Sequence, residues 1–266
     1  MLPLHSASSV FSLRHTPSWL LLASAGGAVN AIAFVSCSRF VSHITGAVSR
    51  LGMGASGATE SLAVESGIVV GALVLGAMSS SALARWPGRT GKPSSALPLF
   101  VVASLLAALG ALGTSGIWGA VDGVVDGPRS VIFLSLLAFA MSLQNATVAT
   151  CTGLLVRTTH MTGTVTDLGV HLARAMRETG ASRALALRHA ALRAGLIAGF
   201  TAGACAGAWL AEVFAFRALY VPAAAIVVAA VSSFVFASEP AVSPEPRYVS
   251  VQPPSAPACA LEPELP

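Results

Sequence analysis

The chain has 266 residues, 55% hydrophobic and 10% charged, with a mean hydropathy of +0.76. Soluble domains carry about 25% charged residues, so this chain lacks the side chains to cover a water-facing surface. A bilayer removes that need, because lipid accepts apolar side chains on every face of a helix. The formal charge of +4 and pI near 9.2 would fit nucleic acid, but the basic residues cluster in two short loops beside apolar runs. That placement reads as membrane topology, and no nucleic-acid partner is expected.

Residues 1–16 are expected to form a cytoplasmic N-terminal segment. Arg14 and His15 before "WLLLASAGGA" imitate a signal peptide with an Ala-Ser-Ala cleavage site. The apolar stretch before that cut is only about five residues, short of an h-region, so a retained helix over about 17–38 is favoured. Further apolar runs at about 61–84, 94–118, 130–150, 190–211 and 217–237 each approach the ~20 residues that a bilayer core requires. The third contains Gly110, Gly113 and Gly116, which make its far end a candidate for irregularity. From Ser238 to Pro266 repeated prolines break any helix, and a disordered tail is expected. The fold class is therefore all-α, a polytopic membrane protein whose domain covers 17–237. Cys37, Cys151, Cys205 and Cys259 have no CxxC spacing, and neither a metal nor a cofactor is expected.

With the N-terminus inside, the inside segments hold eleven Lys and Arg, Arg85, Arg89, Lys92 and Arg157 among them. The outside segments hold four, namely Arg39, Arg50, Arg129 and Arg217. Positive residues favour the cytoplasmic side, which predicts both termini inside.

One phrase occurs twice. "SHITGAVSRLG" at 42–52 follows the first run, and "THMTGTVTDLG" at 159–169 follows the fourth. Aligned from their histidines, His43, Thr45, Gly46, Val48, Leu51 and Gly52 match His160, Thr162, Gly163, Val165, Leu168 and Gly169. Asn30 and Asn145, each followed by Ala, lie upstream two residues out of that register. Two three-helix repeats are expected, about 17–118 and 130–237. Each crosses the membrane an odd number of times, so the second copy enters from the opposite side, as in the inverted repeats of secondary transporters. A Thr-Gly pair beside a histidine suits an interrupted helix lining a pathway. It equally suits a helix-ending turn beside a solvated histidine.

Candidate pathway or repeat-interface residues are Asn30, His43, Thr45, Gly46, Gln144, Asn145, Thr159, His160, Thr162, Gly163 and Asp167. Polar side chains inside a span need partners, supplied either by neighbouring helices or by a wet cavity. Asp167 is the best placed acid, and its counterpart is Arg50; the two also read as plain topology signals. Gly195, Gly199, Gly203 and Gly207 form a four-residue stripe in the fifth run, with Gly67 and Gly71 at the corresponding place in the second. Helix packing is their expected role, which makes spans 2 and 5 candidates for the repeat interface. "TDLGVHLARAMRETG" reads as an amphipathic surface helix ended by Gly180. No HExxH, Gly-Lys-Ser/Thr loop or Gly-x-Ser-x-Gly elbow occurs, so the chain is not expected to be an enzyme.

"AFAMSLQNATV", "VRTTHMTGTVTDLG" and "FVSHITGAVSRLG" resemble signature segments of the YoaK-like family of bacterial membrane proteins, a domain-of-unknown-function group. The resemblance covers about 17–237 and implies an inner-membrane protein with about six spans and no established activity. It also implies two departures: Asn30 stands where members carry Asp, and Ala47 where they carry Asn. The expected function is a small secondary transporter or permease for an unknown small solute in the lipid bilayer, with a homodimer as a possible assembly. A non-transporting scaffold, sensor or accessory subunit is the alternative, and an intramembrane enzyme the third.

Overall fold

The structure is a computed structural model that describes residues 10–12, 15–57, 60–84, 96–119, 125 and 127–236. Most of the N-terminal segment, the basic loop with Arg85, Arg89 and Lys92, and the Pro-rich tail lie outside these residues. Among the described residues every regular element is helical. That is what lipid demands, because a helix satisfies its own backbone where no water can.

The helices are α1 (Thr16–Cys37), α2 (Ile44–Ala55), α3 (Glu60–Ala84), α4 (Ala96–Thr114), α5 (Pro128–Cys151), α6 (Met161–Arg177), α7 (Gly180–Phe214) and α8 (Tyr220–Phe236). A 3-10 turn, Ala215–Leu219, joins the last two. Five stretches among the described residues are long and apolar enough to cross a membrane by length and composition. Four correspond to α1, α3, α4 and α5, and the fifth is the continuous stretch Gly180–Ser232, which holds α7 and most of α8. At about 1.5 Å per residue the 22 residues of α1 extend about 33 Å, close to the bilayer core. The 35 residues of α7 extend about 52 Å, so its first turns, with Arg183, Arg188 and His189, reach beyond such a core.

Three boundaries differ from the sequence reading. The repeated phrases open helices and do not close them: His43 and His160 are the N-caps of α2 and α6. Gly180 does not end the amphipathic helix either. α6 stops at Arg177, Glu178 and Thr179 are extended, and Gly180, with φ 59°, is the first residue of α7. A left-handed residue lets the chain turn there, and the Ala- and Arg-rich segment that follows favours helix well before the apolar run starts. The sixth run begins in the 3-10 turn, after Ala215 at φ 50° breaks the helix.

The expected spans 2 and 5 each cross a first span of the other half. α7 packs on α1, and α3 packs on α5. A Cβ on Gly203 would strike the Ser24 carbonyl, one on Gly27 the Phe200 carbonyl, and one on Gly207 would lie 2.5 Å from the Ala28 oxygen. In the other crossing a Cβ on Gly76 would strike the Phe139 carbonyl and lie 3.1 Å from Leu143 N. Phe139 and Leu143 follow Ser24 and Ala28 by 115 residues, the separation of Asn145 from Asn30. Both crossings therefore use a glycine against corresponding backbone. The pattern continues: α2 lies on α3 as α6 lies on α7, and α1 meets α8 as α5 meets α4.

The apolar core runs between these crossings, with Leu22, Ile32, Leu106, Leu137, Met141 and Leu196 fully buried. At one end Phe133 sits between Trp118 (5.3 Å) and Phe216 (5.7 Å). Phe216, from the 3-10 turn, rests on Gly113 and Gly110 of α4, which explains those glycines.

Candidate functional site

After α1 ends at Cys37 the chain folds back along it. The Asn30 side-chain oxygen accepts two hydrogen bonds from Ser42, from N–H at 3.0 Å and hydroxyl at 3.1 Å. Asn30 lies about 10 Å before the end of α1, so α2 starts well inside the length of the span. The second half repeats the device. The Asn145 oxygen accepts from the N–H groups of Thr158 at 2.9 Å and Thr159 at 3.3 Å, again more than one turn before its helix ends. The two-residue register difference is absorbed between clamp and motif, where Gly153 and Leu154 form a left-handed turn (φ 60° and 68°).

The two motifs that follow share one geometry. His43 has φ −85° and ψ 66°, His160 φ −91° and ψ 68°. Neither imidazole caps its helix. Each ring lies back over the first turn, where a Cβ on Gly46 would be 2.6 Å from His43 Nδ1 and one on Gly163 2.9 Å from His160 Nδ1. The glycine makes room for the ring. Thr45 and Thr162 are exposed, and their carbonyls accept from Ser49 at 2.9 Å and Thr166 at 3.1 Å.

Both segments dock on the same stripe of α1. Ser42 hangs on Asn30, and Thr159 Cγ2 would be 2.9 Å from a Cβ on Gly26, one helical turn away. Gln144 fastens the second segment there. Fully buried, it donates to the Leu22 carbonyl at 2.9 Å and the Thr158 hydroxyl at 3.2 Å. The structure thus brings Asn30, Gln144, Asn145 and Thr159 together near the middle of α1. Of the glycines, Gly195, Gly199, Gly203 and Gly207 face α1, whereas Gly67 has only Leu51 at 3.8 Å and Gly71 has nothing within 4 Å.

A charged node stands behind each motif, and its signs are reversed between halves. Arg50 of α2 approaches Glu65 of α3 at 4.0 Å, and Arg39 from the connecting loop pairs with the same Glu65 oxygen at 2.6 Å. Asp167, which aligns with Arg50, pairs at 3.2 Å with Arg193 of α7, and Arg193 also donates to the Leu155 carbonyl at 2.7 Å. Arg193 is buried although Asp167 is half exposed, so the carbonyl bond matters for holding the guanidinium. Neither Glu65 nor Arg193 stands out in the sequence. The opposite signs at the aligned positions 50 and 167 were the available signal. Beyond the second node, His171 of α6 stacks on His189 of α7 at 4.7 Å. Partial burial, then the nearby Arg193, holds the His171 pKa below its ordinary value, with Arg174 adding to the shift and Asp167 opposing it.

Around the first node lies a cavity of about 180 Å³. Its lining is polar from Arg39, His43, Arg50, Glu65 and Ser66 and apolar from Phe40, Val69 and Leu134. No group of three or more metal-binding side chains occurs among the described residues.

A family model described as a protein of unknown function, DUF1275, matches residues 18–232, which include both motifs, all but the first two residues of α1 and the whole of α2 to α7. The chain belongs to the DUF1275 family. This is the group that the repeated motifs resembled. No curated protein and no solved structure matches this DUF1275 chain. Membership leaves the activity to be argued from the geometry of the two motifs.

Proposed function

We propose that this DUF1275 protein is a small secondary transporter of the bacterial inner membrane, built from six spans with both termini inside. Its two halves are inverted three-span repeats, and the solute passes where the two re-entrant motifs meet. The observation that carries this reading is the matched pair of asparagine clamps. Each folds a connection back so that a His-x-Thr-Gly helix start lies partway along a span, and both connections converge on one stripe of α1. Interrupted helices converging near mid-membrane at a repeat interface are how inverted-repeat transporters place solute and coupling-ion sites. Helix starts at that depth are tolerated only where they line a cavity or pack on protein.

Alternating access is the mechanism this arrangement supports. α2 and α6 ride on α3 and α7, so rocking the α1–α7 crossing against the α3–α5 crossing would open one motif while closing the other. The test is thiol accessibility of Ser42→Cys and Thr159→Cys in proteoliposomes, using a membrane-impermeant reagent, together with flux of solutes that differ between deletion and overexpression strains. The expected result is that each cysteine labels from one side only and that a transported solute shifts the two rates in opposite directions. A region that labels from neither side, with no solute moved, would refute it. The second reading, a non-transporting scaffold or accessory subunit, is favoured by the close backbone crossings at Gly27, Gly203 and Gly76, which resist sliding. A homodimer would use apolar surface such as Val64, Val74 and Leu75, exposed on α3.

A further inference from the structure

We infer that the cavity between the first motif and α3 is a binding site for a small organic monoanion with an apolar body. The inference rests on the transport reading only for its place in a solute pathway. The site itself stands on charge and shape.

The charge balance comes first. Arg39 and Arg50 both approach a single carboxylate oxygen, Glu65 Oε2. Arg39 takes it at 2.6 Å, which leaves Arg50 at 4.0 Å, beyond hydrogen-bond distance and with no other hydrogen-bonded partner among the described residues. Two guanidinium groups against one carboxylate leave one positive charge when His43 is neutral. Arg50 is the group free to use it, with a planar fork of donors suited to a carboxylate. The first turn of α2 adds to the same field, because Gly46 and Ala47 line the cavity at the helix N-terminus. A cation would meet two arginines, and a neutral solute would leave Arg50 without its counter-charge.

Shape completes the description. Phe40, Val69 and Leu134 add apolar side chains to the lining. A volume of about 180 Å³ is slightly larger than the roughly 150 Å³ that accommodates benzene in an apolar protein cavity. The fit is to a monocarboxylate of about that size, its carboxylate on Arg50 and its body against the apolar lining. In the corresponding place of the second half the buried Arg193 is held by Asp167 and the Leu155 carbonyl, and Arg157 lies against His160 at 3.4 Å.

Benzoate is the probe, with benzamide as its neutral isostere, and binding is measured on the full chain in nanodiscs of neutral lipid. Saturable benzoate binding that benzamide does not displace is expected. Arg50→Gln should weaken it at least about tenfold and Arg50→Lys by only a few-fold, while Glu65→Gln should strengthen it by releasing a second guanidinium. A thermal melt of each variant separates lost binding from lost fold. Equal competition by benzamide, unchanged binding in folded Arg50→Gln, or no saturable binding of benzoate or of shorter monocarboxylates would overturn the inference. Displacement by anionic lipid added to the nanodiscs would also overturn it and assign the charge to a headgroup. Binding with the expected pattern but no flux in proteoliposomes would leave the site standing and remove the transport reading.

Discussion

Two asparagines decide where the chain folds back. Each presents its carbonyl oxygen to donors of a segment that has no secondary structure of its own to satisfy them. Replacing Asn145 by Ala strands the N–H groups of Thr158 and Thr159 in a mostly buried setting, where one lost acceptor costs about 1–3 kcal/mol. Asn30→Ala should cost the lower part of that range, since the Ser42 hydroxyl can rotate to another partner. Unfolding of the detergent-solubilised variants checks both. Nothing about an isolated Asn-Ala pair in an apolar run shows that its partner lies twelve to fourteen residues on, although both halves repeat the clamp. A second residue-scale prediction concerns His171. Its pKa lies below the ordinary value of about 6.5, so the unfolded chain takes up the proton first as pH falls. Stability linked to this group is complete above about pH 6.5 and declines below it, until the folded-state pKa is passed. The melting temperature should therefore fall on acidification from pH 7 to 5.5, and less so in His171→Gln. An equal fall in both would remove the imidazole from that account.

At the scale of the element, glycine spacing was legible and its partner was not. The stripe from Gly195 to Gly207 shows that one face of a helix is small, but a small face does not name the helix that lies on it. The structure assigns it to α1, and the counterpart on α3 is Gly76, not the Gly67–Gly71 pair that the spacing singled out. Gly203→Ala would push a methyl into the Ser24 carbonyl, where only backbone can move, and overpacking of that kind costs about 1–3 kcal/mol. Gly71→Ala meets open space and gains helix propensity, so its effect should lie between neutral and about 1 kcal/mol of stabilisation. Parallel thermal melts distinguish the two sites. The long apolar runs were legible for a related reason: length and hydropathy carry them without help from tertiary contacts. The starts of α2 and α6 were not, because Thr-Gly after a span serves a helix end and a helix start alike. What decides between them is a hydrogen bond to a distant asparagine.

The whole molecule places corresponding contacts in its two halves: glycine crossings, asparagine clamps, histidine helix starts and charged nodes of reversed sign. With three spans in each half, as proposed, parity would put the second copy upside down, which makes sidedness the test. Sequence could supply the parity but not the convergence, which depends on which helices cross. The most direct measurement uses a cysteine-free background with one cysteine at Ser56, the C-cap of α2, or at Glu178, the C-cap of α6. Each is then labelled with a membrane-impermeant thiol reagent in sealed right-side-out vesicles. Inverted repeats with both termini inside predict that Ser56→Cys labels in intact vesicles, whereas Glu178→Cys labels only after the membrane is opened. Labelling of both positions from the same side would contradict the inverted arrangement and, with it, the transport reading.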